Sequence, residues 1–367
     1  MCRGVVLLIV AALAVGCGGS GSSTPQAGPR RTMLTDLGRV VIVPTYAQLV
    51  ARADDLIAAA AALEDAPNAT TLAATQHAWR VARSVWKQSA AFAFGPAVTL
   101  DTAAKIDWTA IRPARIETEV AGDAELTPEY IDEVGVNVKG FLALEYLLFD
   151  PQGDDAVVIG QLAPDARRRR YVVALAENLR EEARRLRDAW EPGAGDFAAQ
   201  LSDAGQGSAA YPTLKSAVDA VVNQLIFVSE DTADGQLLAA LGGPDHGAPN
   251  AEALATHRSE NSLADVIDAL TGIETVYNDT YAGRRGTSLA DIVASLSGDV
   301  PNVLAAAIHR AIDTAAKIPP PLEQALTADT TVVEQAQVRS KELRDRLETD
   351  LVSVLGTTLR FNPSDGD

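Results

Sequence analysis

Glu145 is the one charged residue in the stretch Gly140-Phe141-Leu142-Ala143-Leu144-Glu145-Tyr146-Leu147-Leu148-Phe149. A carboxylate in such a run faces an interior or a cleft. Burying it unpaired is costly, so it calls for a cation, a metal or a proton. A cation is on offer. Trp79, Arg83 and Trp86 stand at i, i+4 and i+7, which on a helix is one face. A guanidinium between two indoles can stack and turn its fork to a carboxylate. The pattern predicts that Glu145 and Arg83 approach each other in one pocket. Two plainer readings use the same residues: a buried Glu145 paired with an Arg only to organise the core, and an amphipathic core stripe with Arg83 at its edge.

Other reactive patterns are sparse. The four histidines are His77, His246, His257 and His309. None belongs to a His-Glu-x-x-His zinc helix, and no Glu stands three residues before any of them, as di-iron bundles require. There is no Cys-x-x-Cys, no Gly-x-Ser-x-Gly and no phosphate-cradling glycine loop. His257 and Glu260 are the one His-x-x-Glu pair, which could begin a metal site or arise by chance in an acidic chain. Asn261-Ser262-Leu263-Ala264-Asp265-Val266 recurs as Thr287-Ser288-Leu289-Ala290-Asp291-Ile292, each followed by a glycine, Gly272 and Gly298. Ser with an acid three residues on is a capping-box-like helix start, and the glycine is a helix stop. A ligand role for Ser262 is the alternative.

The elements that must hold these residues read as helices. Helical spacing covers 46–63, 70–92, 102–120 (irregular at Pro113), 136–149 and 166–190. In the second half it covers 214–241, 263–278, 289–296, 302–317 and 331–355. Glu and Arg four apart within 166–190 support that helix. No alternating-hydrophobic hairpin is visible. The fold expected is all-α: two helical-bundle halves packed side by side, 33–190 and 213–360, joined by a Gly/Asp/Ser-rich linker at 191–212.

The 367 residues carry 31 basic and 49 acidic side chains, a net charge of −18. A nucleic-acid partner is not expected, because binding one needs a cationic face. The run Arg167 to Arg170 lies among carboxylates and reads as a solvated face. At the N-terminus, Arg3 precedes the apolar run Val5 to Val15, too short to span a bilayer, which takes about 20 residues. It suits a signal peptide over 1–16. The run ends in Leu13-Ala14-Val15-Gly16-Cys17, which resembles a bacterial lipobox, and a Gly/Ser-rich tether over 17–32 follows. Lipidation of Cys17 is expected to anchor the chain to a membrane. Gly18 after the cysteine favours the periplasmic face of the outer membrane.

Taken together, Ala78-Trp79-Arg80-Val81-Ala82-Arg83, Phe92-Ala93-Phe94-Gly95-Pro96, Gly140 to Phe149, and Arg258-Ser259 with Asn261-Ser262-Leu263-Ala264-Asp265 resemble the imelysin-like family in order and extent. The resemblance implies two helical halves with a site where they meet. It also implies a bacterial envelope protein linked to iron or haem acquisition, with iron-uptake proteins as partners. Some members have been classed as metallopeptidases. The family motif is Gly-x-His-x-x-Glu; Gly140 and Glu145 match it, while Leu142 stands where the histidine belongs. Glu145 is then the best single candidate ligand for iron or another divalent metal, and other ligands would have to come from elsewhere. Arg258, Ser259 and Ser262 are expected near Glu145, Arg83, Trp79 and Trp86. The function expected is a non-catalytic binding lipoprotein. The alternatives are a metallopeptidase with a degenerate motif and a structural or interaction module.

Overall fold

A computed structural model describes residues 26–245 and 247–360. Cys17, the segment before it and His246 lie outside the described residues. Local sequence sets the boundaries of the longest helices. In the first half, α1 is Ala27–Asp36, α2 Val43–Asp65, α3 Ala69–Ser89, α4 Pro96–Thr99 and α5 Thr102–Asp107. They are followed by α6 at Pro113–Ala121, α7 at Pro128–Glu133, α8 at Gly140–Leu148, α9 at Asp155–Leu162 and α10 at Ala166–Trp190. Then come α11 at Phe197–Ser202, α12 at Leu214–Glu230 and α13 at Ser262–Asn278. A two-residue hairpin, β1 Thr280–Tyr281 with β2 Arg284–Arg285, precedes α14 Leu289–Leu296, α15 Val300–Ala315, α16 Leu322–Ala328, α17 Thr331–Arg346 and α18 Val352–Leu355. Asn68 with Thr71 and Thr213 with Ser216 form reciprocal capping boxes at α3 and α12. Asp165 caps α10 through the Arg168 amide.

The architecture is all-α apart from that hairpin, which is too short to leave an alternating pattern in the sequence. Leu37–Ile42, Asp231–Leu238 and Leu347–Leu351 are π-helical turns within longer helical stretches. None of the helices in the described residues is long and apolar enough to cross a membrane.

Three expectations shift. The tether was expected to extend to residue 32, but the chain is helical from Ala27. Arg31 donates to the carbonyls of Ser202 and Ala204 at 2.8 and 2.9 Å, and Arg30 to that of Leu355 at 3.1 Å. The first helix is therefore tied to the 191–212 segment through Arg31 and to the second half through Arg30. The helix expected over 102–120 is two helices, because Arg112 is extended, as a residue before proline prefers, and Pro113 opens α6. Gly272 is not a helix stop but lies inside α13. A Cβ there would come within 2.2 Å of the Gln88 carbonyl oxygen, so α3 and α13 meet backbone to backbone. The segment 191–212 contains α11 and an aromatic chain, with Trp190–Phe197 and Phe197–Tyr211 ring centroids 4.9 and 6.0 Å apart. One contiguous apolar core runs through both halves.

Candidate functional site

The α3–α13 seam carries the ionised cluster. Trp79, Arg83 and Trp86 are buried on one face of α3, and Arg83 is fully so. Its Nε donates to both oxygens of Asp265, at 3.0 and 2.9 Å, and its Nη2 to Oδ2 at 2.8 Å. Its Nη1 reaches Asp107 Oδ1, at the end of α5, at 2.6 Å. Asp107 also accepts from the Trp86 indole at 3.0 Å, with Lys87 Nζ 3.9 Å away. Burial alone would push Asp107 up and Arg83 down. The attraction between them and Asp265 outweighs it, so Arg83 is raised and Asp107 held below the usual carboxylate range. The guanidinium carbon sits 5.6 Å from both the Trp79 and Phe141 rings, and Trp79 donates to the Phe141 carbonyl at 3.0 Å.

Gly140 sets this geometry. Its φ is +79°, and a Cβ there would lie 2.3 Å from the Ile106 carbonyl oxygen. Only glycine lets α8 start against α5, next to Asp107. Five residues on, Glu145 is buried and does not pair with Arg83. Its Oε1 accepts from the Ser259 amide at 2.9 Å and the Ser259 hydroxyl at 2.7 Å. Burial pushes its carboxyl up to about 7, against the opposing pull of Ser259, Arg83 and His257. The expected Glu145–Arg83 ion pair is thus replaced. Asp265 and Asp107 reach the arginine, and a serine from the second half reaches the glutamate. Arg258 serves the end of α8, donating to the Phe149 carbonyl at 2.6 Å and stacking 4.8 Å from the Tyr146 ring. Ser262 pairs with Thr256, whose hydroxyl donates to Asp265 Oδ2 at 3.0 Å.

Along the same seam, Ser84 and Gln88 of α3 donate to Asp268 of α13 at 2.9 and 2.8 Å. Burial raises Asp268 to about 6. Sequence reasoning missed Asp107, Asp268 and Thr256. Asp265 and Asp268 do lie at i, i+3, on one face of α13, and that spacing was the available signal.

A cleft of about 360 Å³ opens beside this cluster. Asp265, Thr256, His257, Asp231, Glu252 and Lys87 contribute to its walls. The π-helical turn Asp231–Leu238 forms one side. A larger surface groove, about 430 Å³ between α15 and α17, has none of the cluster residues in its lining.

The residues present do not fit a resident metal at the motif. Leu142 is buried in the core, and Ser259 already engages Glu145 Oε1. His257 turns Nδ1 to the Leu254 carbonyl at 2.8 Å, and Glu260 is exposed. Among the described residues no three His, Cys, Asp or Glu side chains gather as ligands.

The comparisons with known proteins agree on the family and the fold. A family model described as imelysin matches residues 42–352. Iron-regulated protein A of Synechococcus elongatus is 28% identical over 359 residues, covering 94% of this chain and 93% of that protein. A crystal structure from Parabacteroides distasonis, described as an iron-regulated protein A precursor, superposes with TM-score 0.76 at 18% identity, covering 91% and 97% of the two chains. An imelysin-like protein from Psychrobacter arcticum gives 0.71 at 18%, covering 91% and 98%. At these identities the two structures establish a shared fold.

Proposed function

The chain belongs to the imelysin family, and from that premise we propose that it is an envelope-anchored, non-catalytic binding protein that works in iron or haem acquisition. The observation that carries the binding reading is the 360 Å³ cleft placed over a fully satisfied ionised cluster at the junction of the two halves. Arg83, Asp107 and Asp265 saturate one another, which suits a rigid floor. Leu142 in place of the motif histidine removes the support for a metallopeptidase. The iron link rests on the names of the relatives, and the envelope location on the lipobox at Cys17.

The test is native mass spectrometry of full-length protein purified from iron-limited cells, alongside casein proteolysis with and without EDTA. A non-covalent small-molecule adduct and uncut casein are expected. No adduct together with chelator-sensitive cleavage would overturn the reading in favour of an enzyme. Anchoring is checked separately: Cys17→Ala should leave the membrane fraction.

A further inference from the structure

Asp279 carries three costs at once. It closes α13 in the left-handed region, at φ +47° and ψ +51°, where glycine is the usual residue. It is 1% exposed, and neither of its carboxylate oxygens has a hydrogen-bond partner. A second carboxylate stands beside it. Asp36, the last residue of α1, accepts from the Thr287 amide at 2.8 Å. Gly286 sets how close the two come. A Cβ there would lie 1.9 Å from Asp279 Oδ2 and 2.6 Å from Asp36 Cβ, so both side chains converge over one α-carbon, and at most the sum of those lengths separates the two atoms. The other charged groups that face Asp279 are Arg285 of β2 and Asp291 of α14. Both are exposed, and they pair with each other at 2.8 Å. A buried carboxylate without a donor and with a like charge beside it calls for a proton or a cation. Both oxygens are closed to solvent, and among the described residues no set of three side-chain ligands forms around them. A proton is the occupant that needs neither room nor further ligands. Burial first, then Asp36, pushes the Asp279 carboxyl up to about 7.

We propose that Asp279 carries a proton while α1 is docked, and that this proton latches α1 to the end of α13. The proton removes the repulsion between the two side chains and supplies the donor that the site lacks, with Asp36 as the acceptor at hand. Once it leaves, two carboxylates face each other over Gly286 with no cation between them. Arg30 and Arg31 tie the same helix to Leu355, Ser202 and Ala204, so undocking α1 loosens the 191–212 segment and the C-terminal turn together. The latch is a pH-sensitive joint on the first described helix, and it is independent of what the cleft binds. Its sign follows from linkage. A docked value of about 7 against the ordinary 3.8 means that the docked state holds the proton more tightly. Docking is therefore strongest below 3.8 and weakens as pH rises through about 7.

The test is hydrogen exchange of the full-length chain followed by mass spectrometry, about one unit either side of pH 7 and corrected for the intrinsic rate. Protection of the amides in 27–36 should fall about tenfold across that span. The step should vanish in Asp279→Asn, which keeps the shape and tolerates the left-handed region, and in Asp279→Gly, which suits that region and has no carboxyl. It should persist in Glu145→Gln, which removes a different buried carboxyl. Thermal unfolding on the acid side shows which variants are folded. Protection of α1 that does not change with pH overturns the latch. A step that survives in either folded Asp279 variant, or vanishes in Glu145→Gln, places the titration at another group and overturns the role of Asp279. A step that added calcium ion abolishes puts a metal cation where the proton is proposed and overturns it as well.

Discussion

Ser262-Leu263-Ala264-Asp265 and Ser288-Leu289-Ala290-Asp291 are the same four residues at the starts of α13 and α14, yet they are wired differently. At α14 the box closes on itself. Ser288 accepts from the Asp291 amide at 3.1 Å, and Asp291 accepts from the Ser288 amide at 2.9 Å. At α13 neither side chain caps its helix. Asp265 turns to Arg83, Thr256 and Asn261, and Ser262 to Thr256. A cap satisfies one amide that water could otherwise serve. A buried guanidinium has no water, so the carboxylate goes where the unpaired charge would cost most. The trailing glycines diverge for a related reason. Gly272 lies where two helices touch, and Gly298 in open space.

The largest effect should separate the two aspartates. Asp265→Ala leaves Arg83 buried with Asp107 alone and should cost about 3–5 kcal/mol. Asp291→Ala loses half of a part-buried capping box and should cost about 1 kcal/mol. Urea unfolding of both variants measures the gap, and equal losses would erase the distinction. Arg83→Ala combined with Asp265→Ala should cost far less than the two changes added.

The glycines come next. Gly272→Ala should destabilise by about 1–3 kcal/mol, because the methyl group meets the Gln88 backbone and the helices must part. Gly298→Ala should stay within about 0.5 kcal/mol. A thermal scan of the pair decides it.

Acid separates the buried carboxylates around the α3–α13 seam from the α14 start by sign. Glu145 rises from 4.5 to about 7 through burial, and Asp268 from 3.8 to about 6. Folded pKa values above the unfolded ones mean that the native state binds more protons. Their contribution is full below the unfolded values and is lost as pH rises through the folded ones. Asp291 is held below its ordinary value by Ser288 and Arg285 against burial, so its contribution is present above 3.8 and lost on acidification. Asp279, buried beside Asp36 and raised to about 7, slopes the same way as Glu145. The check is therefore a difference. Glu145→Gln should flatten the fall in stability between pH 4.5 and 7 relative to wild type while keeping the Ser259 bonds. An unchanged slope would remove Glu145 from the account.

The cap itself has a modest effect. Ser288→Ala should cost about 1 kcal/mol, and Asp291→Ala added to it little more.

Much of the fold was legible because helices announce themselves locally. The stretch 166–190 matches α10 end to end, since its apolar spacing and the Asp165 cap are neighbours in the chain. Short helices such as Asp155–Leu162 and Leu322–Ala328 escaped notice because so few turns leave little periodicity. The site was half legible. Residue type identified Arg83 and Glu145 as groups that need partners, but their partners lie 182 and 114 residues away, in Asp265 and Ser259.

By itself, then, the sequence determined that this chain is helical, which residues on α3 and α8 are buried, and that a carboxylate and a guanidinium among them must be compensated. Apolar spacing and the cost of burying charge act within one element and require nothing else. Only the tertiary structure decided who compensates whom. Gly140 against Ile106 and Gly272 against Gln88 set how closely the helices approach, and that separation put Asp265 rather than Glu145 within hydrogen-bond reach of Arg83.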